Sequence, residues 1–179
     1  RSTLFPYTTL FRSSINDEAE VINTDNEIDQ SGNSGDAIVI LDTTPAVFRV
    51  TVPTVLPVAV GSDGTVTVAD NAQVSNLCNG QIDVTGVHMN TINDWSIVDN
   101  GTDFKEIPVD AKQFTLPLNG DDFGAGTSVD LSLGNAWSTI NGKDAMTLSH
   151  SSDVAVQSAA INGTQIASVI FTVAWHTAA

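Results

Sequence analysis

Positive charge is what this sequence has least of. Its 179 residues hold 6 Lys and Arg against 21 Asp and Glu, for a formal charge of −15. Proteins grip phosphate backbones by letting Lys and Arg displace condensed counterions, so nucleic acid is excluded as a partner. Anionic lipid repels such a chain for the same reason. Cysteine is nearly absent too: Cys78 stands alone, so no disulfide can form within the chain, and the thiol is expected to be either a small buried apolar group or an inert loop thiol. No apolar run is long enough to cross a bilayer as a helix, so membrane insertion is not expected. Good helix formers are thin, whereas Thr, Ser, Asn, Gly, Val and Asp are abundant, a mix that favours strands and turns.

Reactive motifs are also missing. His88, His150 and His176 lie far apart, with no His-Glu-x-x-His spacing for zinc. Ser, His and acid are all present, but no Gly-x-Ser-x-Gly turn marks a nucleophile. No Gly-rich loop with Lys cradles a phosphate. Asn23, Asp25, Glu27 and Asp29 alternate, yet Ile28 and Ser34 stand where a calcium loop needs Gly and Glu. Asp121 and Asp122 sit in a Gly-rich turn that would hold a weak surface calcium at most. The expectation is therefore a non-enzymatic protein with no catalytic, cofactor or metal residues.

The chain divides by composition. Thr3–Ser13 (TLFPYTTLFRS) is what a common sequencing-adapter oligonucleotide encodes, so residues 1–13 are set aside from fold reasoning. Only Arg49, Lys105, Lys112 and Lys143 then remain as basic residues, and a leader peptide is expected to have been lost with the native start. Residues 14–36 are acidic and aperiodic, an expected flexible lead-in. Residues 37–179 are expected to form a single domain.

Within that domain short alternating segments recur between turn residues. Ala37–Leu41 (AIVIL) is a continuous apolar strand signal, and Val47–Val52 alternates up to Pro53. Val58–Val60 and Thr65–Ala69 flank Gly61-Ser62-Asp63-Gly64, which predicts a hairpin. Asn79-Gly80 predicts a second hairpin, pairing Asn71–Asn76 with Gln81–Met89. In the latter segment, alternation puts Ile82, Val84 and Gly86 on one face and Asp83, Thr85 and Val87 on the other. Trp95–Val98, Gln113–Leu118, Ser128–Leu133, Ala145–His150 and Asp153–Ala159 are further strand candidates, with Pro117 suggesting an edge. Gln165–His176 is the longest, with Ala167, Val169, Phe171, Val173 and Trp175 on one wholly apolar face, which predicts a central strand. The fold class expected is all-β: an antiparallel β-sandwich, jelly-roll or Ig-like, of about ten strands.

Certain stretches look familiar. Thr51–Val58 (TVPTVLPV), Asp63–Thr67 (DGTVT), Trp95–Val98 and Val169–Trp175 (VIFTVAW) recur as a pattern in secreted β-rich surface proteins of Gram-positive anaerobes, and the chain resembles that group over most of Val47–His176. One departure is Asp94, where the pattern has Asn before the Trp. More distantly the chain is similar to matrix-fibre subunits of the TasA/camelysin jelly-roll type. The resemblance implies an extracellular or cell-surface setting, with other copies of the chain or cell-wall and matrix components as partners. It carries no catalytic residues.

The function expected is thus a structural or adhesive β-sandwich of a bacterial surface or biofilm matrix, a fibre subunit assembling by strand exchange. The exchanging strand would be Ala37, Ile38, Val39, Ile40 and Leu41, pairing with a neighbour's sheet edge. The alternative is a carbohydrate-binding module, which would stack sugar rings on exposed tryptophan. Trp137, in a loop, is the first candidate contact, and Trp95 the second, while Trp175 continues an apolar face and is expected in the core.

Overall fold

The computed structural model describes Leu41, Thr43 and residues 45–177. The lead-in at residues 14–36, and Ala37, Ile38, Val39 and Ile40 of the expected first strand, lie outside the described residues. Every regular element described is a strand: β1 (Val50–Thr51), β2 (Val58–Val60), β3 (Val66–Val68), β4 (Gln73–Asn76), β5 (Ile82–Thr91), β6 (Ser96–Ile97), β7 (Gln113–Phe114), β8 (Ser128–Asp130), β9 (Ala145–Thr147) and β10 (Ala167–Trp175). The protein is all-β, as its shortage of helix formers implies. The strands make two three-stranded sheets, β1-β4-β9 and β10-β5-β8, and two two-stranded pairs, β2-β3 and β6-β7.

The first hairpin forms where its turn residues predict it. Val58 pairs with Val68 and Val60 with Val66. Gly64 turns the chain at φ 82°, a conformation that suits glycine, and the Asp63 carboxylate accepts the Thr65 N–H at 3.0 Å.

The second predicted hairpin does not form. β4 pairs with β1 and β9, whereas β5 pairs with β10 and β8, so Asn79-Gly80 carries the chain from one sheet to the other. The physical reason is the buried side chain of Asn76. Its Nδ2 donates to the carbonyls of Gly80 (2.8 Å), Ile140 (3.1 Å) and Asn141 (2.9 Å), and its Oδ1 accepts the Cys78 N–H at 2.9 Å. One amide thus bonds backbone groups on both sides of the crossover, and it is the partner found for the Cys78 N–H and the Gly80 carbonyl among the described residues.

β5 departs from simple alternation. Val84 is opposite Val173 and Gly86 is opposite Thr172, so Thr85 is the extra residue of a β-bulge. The bulge shifts the phase: Val87 and Met89 join Ile82 and Val84 in the core, although uninterrupted alternation would point Val87 outward. Gln113–Leu118 also differs from expectation. Phe114–Leu118 is buried throughout, Pro117 included, so this stretch is interior and no edge. Its strand β7 runs parallel to β6, a pairing that needs a long return connection, and the irregular residues 98–112 supply it.

The core draws on both three-stranded sheets and on the loops. Val74 from β4, Ile82, Val84, Val87 and Met89 from β5, Ile97 from β6 and Phe114 from β7 lie in one cluster with Leu116, Leu118, Phe123, Leu131, Ile140 and Leu148. Each such side chain, moved from water to full burial, contributes about 1.5–3 kcal/mol. Trp95 meets Phe114 edge-to-face, with ring centroids 6.2 Å apart. Of the two placements expected for Cys78 the buried one is found, and its sulfur accepts the Arg49 N–H at 3.0 Å.

Among the described residues β10 is the end strand of its sheet, where a central strand was expected. It is hydrogen-bonded to β5 on one side, and no described strand covers the other. Its apolar face packs on the core through Ala167, Val169, Phe171 and Val173, all half-buried. The sequence predicted the right face but could not give the neighbour.

Candidate functional site: the outer edge of the last strand

The alternation of an antiparallel ladder fixes which backbone groups of β10 look outward. The Ile92 N–H donates to the Ile166 carbonyl and the His176 N–H donates to the Gln81 carbonyl, so Ser168, Ile170, Thr172 and Ala174 exchange hydrogen bonds with β5. Ala167, Val169, Phe171, Val173 and Trp175 therefore direct their N–H and C=O groups away from the sheet. Among the described residues the only partner found for them is the Gln165 side chain, which donates to the Ala167 carbonyl at 3.3 Å.

Protein edges of this length are ordinarily blunted by lysine, by proline or by brevity. β10 has 9 residues (ASVIFTVAW) and none of these safeguards. Its solvent-facing side carries Ile170, 49% exposed. At the strand's end Trp175 is 36% exposed, not in the core as expected. Its ring meets Phe48 edge-to-face at 5.1 Å and lies against Gly80, so the chain entering β1 passes the C-terminal end of β10. Of the expected exchanging strand, Leu41 is described: it is 81% exposed and in no regular element.

The two tryptophans proposed for sugar stacking are placed differently. Trp95 is 4% exposed and presents no ring face to solvent. Trp137 is half-buried against the core, and its Nε1 donates to Asp121 at 2.9 Å. That carboxylate also accepts the Gly134 N–H at 2.7 Å, so Asp121 ties two loops together. No group of three or more His, Cys, Asp and Glu suited to a metal ion occurs among the described residues.

Two histidines, widely separated from their partners in sequence, are joined to aspartates across strands. His176 Nδ1 is 2.9 Å from Asp83 Oδ2 at the β10 end, and Thr139 donates to the other oxygen of Asp83 at 2.8 Å. These bonds hold the Asp83 carboxyl below its ordinary range, the Thr139 bond first and His176 second. His88 on β5 faces Asp130 on β8, with Nδ1 and Oδ1 2.6 Å apart, and its Nε2 lies 3.2 Å from both Asn90 Oδ1 and Ser128 Oγ. The Asp130 bond, helped by Asn90, raises the His88 pKa above the usual 6.5, and burial opposes the shift. A folded-state pKa above the unfolded one stabilises below pH 6.5, and that contribution fades as pH rises through the folded value. An NMR titration of the histidine ring protons should show His88 titrating above an ordinary histidine, and Asp130→Asn should bring its midpoint down.

No family model, no curated protein and no solved structure matches the chain. The sequence reading missed the edge position of β10 and the convergence around His88. The first had no local signal, since a strand's neighbours are set by long-range register. The second had none, because Ser128 and Asp130 meet His88 only through the β5–β8 register.

Proposed function

We propose that this chain is a structural or adhesive subunit of an extracellular bacterial surface or matrix, a β-sandwich that assembles by strand addition. The acceptor is the outer edge of β10, and the donor is the Ala37–Leu41 segment of a neighbouring copy. One observation carries this: a 9-residue strand with an apolar face, no charge and no proline, whose outer backbone groups find no strand among the described residues. Such an edge is a template for another strand, because each added residue pair satisfies backbone groups that water otherwise holds. Ala37–Leu41, with three β-branched residues at its centre and no charge, has the composition of a donor. The two three-stranded sheets contributing to one core support the sandwich arrangement.

Val169→Pro separates edge from fold. The Val169 N–H points away from β5, so proline there deletes an outward donor and leaves the β5 ladder complete. Light scattering behind a sizing column, with electron microscopy, should show assembly of the unmodified chain and a monomer for Val169→Pro with an unchanged circular dichroism spectrum. A chain that stays monomeric at high concentration contradicts the proposal. Copies this acidic repel one another, so assembly should strengthen as salt screens the charge, with the sedimentation distribution moving to larger species.

A further inference from the structure

The solvent-facing side of the β10-β5-β8 sheet carries an arrangement that strand addition does not use. His88 is opposite Asp130, and Asn90 is opposite Ser128. The flanking bonds, Thr91 N–H to Thr127 carbonyl and Leu131 N–H to Val87 carbonyl, make these two pairs the ones without backbone hydrogen bonds, where facing side chains approach most closely. Four polar side chains converge as a result. Asp130 Oδ1 is 2.6 Å from His88 Nδ1, and His88 Nε2 is 3.2 Å from Ser128 Oγ. At rest the Ser128 hydroxyl donates to Asn90 Oδ1 at 2.8 Å.

We propose that Ser128 is a nucleophile for acyl transfer, with His88 as its base and Asp130 as the positioning residue, acting on small esters with good leaving groups. The order hydroxyl–imidazole–carboxylate is the one acyl transfer through serine requires, and both linking distances fall in hydrogen-bond range. The Asp130 bond holds the proton on Nδ1; Nε2, which donates to Asn90 Oδ1 while the ring is protonated, receives the hydroxyl proton once that proton is lost and the Ser128 hydroxyl turns from Asn90. Oγ then bonds to the ester carbon, the bond from that carbon to the alcohol oxygen breaks, and Nε2 passes its proton to the departing alcohol. Water repeats the sequence on the acyl-serine, releasing the acid and restoring Ser128.

Three further features fit. Ser128 is exposed, so an ester reaches it without a channel. Its own N–H points away from β5, on the side of β8 that no described strand covers, where it can donate to an oxyanion. Ile170 on β10 is directly opposite His88 and 49% exposed, an apolar shelf for a short acyl chain. The groups facing the imidazole are Asp130, Ser128 and Asn90 on one side and Ile170 on the other, so Asp130 is the charged group in contact with it. This site lies on the sheet's face, and its use is independent of what pairs with the β10 edge.

The test exposes the full chain to a fluorophosphonate probe across a pH series and maps the product by peptide mass spectrometry. Covalent labelling at Ser128 is expected, increasing with pH as His88 loses its proton, abolished in Ser128→Ala and slowed about a hundredfold in His88→Ala. Asp130→Asn should move the pH midpoint of labelling downward while the circular dichroism spectrum stays unchanged, a shift a merely structural aspartate would not cause. No label on Ser128 at alkaline pH overturns the proposal. Labelling that persists equally in His88→Ala also overturns it, because Ser128 would then react as any exposed hydroxyl does.

Discussion

Asn76→Ala should cost the fold about 3–5 kcal/mol, as measured by chemical unfolding, since it leaves the Cys78 N–H and the Gly80 carbonyl without a partner and strips a further bond from the Ile140 and Asn141 carbonyls. The amide of Asn76 donates to the carbonyls of Gly80, Ile140 and Asn141 and accepts from the Cys78 N–H. Asn76 is among the fully buried side chains, so water does not replace what alanine removes. In a thermal melt the same loss should lower the midpoint by about 10 °C or more. Asn76→Asp should be no rescue. A carboxylate can still accept from Cys78, but it cannot donate, and it would set a second oxygen against three carbonyls. Full stability in Asn76→Ala would mean that the crossover between the two sheets is held by something else.

Gly142→Ala should be comparably severe for a steric reason. A Cβ at this position would overlap the backbone carbonyl of Asn79, and no flexible side chain stands there to swing aside. The two loops are already zipped together. The Lys143 N–H donates to the Cys78 carbonyl at 3.0 Å, and Lys143 Nζ donates to the Leu77 carbonyl at 2.7 Å. Room for the methyl group can come only from moving the Leu77–Gly80 connection, which pulls Gly80 and Cys78 off the Asn76 amide. Overpacking of this kind ordinarily costs about 1–3 kcal/mol, and the coupled loss of hydrogen bonds should carry Gly142→Ala beyond it. Because both changes damage one junction, Asn76→Ala with Gly142→Ala should cost less than the two single losses combined, by about 1 kcal/mol or more. Strict additivity in that cycle would separate the two effects.

Local pattern carried the sequence reading as far as local physics reaches. Composition excluded helix, alternation located β10 and its apolar face, and Gly61–Gly64 gave its hairpin, since each depends on residues a few positions apart. Asn79-Gly80 misled because a turn signal speaks only for the turn: the remote carbonyls of Ile140 and Asn141 decide which sheet the next strand joins. Thr85 as a bulge left no mark in an alternating segment, so Val87 was turned the wrong way. Trp95 and Trp137 carried no sign of whether their rings would be covered. The strand neighbours of β10, and the meeting of Ser128 with His88, are matters of long-range register, which a single sequence does not encode in any short span.

Amide hydrogen exchange along β10, followed residue by residue by NMR, tests the proposed assembly edge most directly. In the dilute monomer the amides of Ser168, Ile170 and Thr172 should be protected by β5, while those of Val169, Phe171 and Val173 exchange rapidly. On assembly the second set should become protected and the first should change little. Protection of Val169, Phe171 and Val173 in the dilute monomer, or their continued rapid exchange in the assembled state, would contradict an edge waiting for a strand.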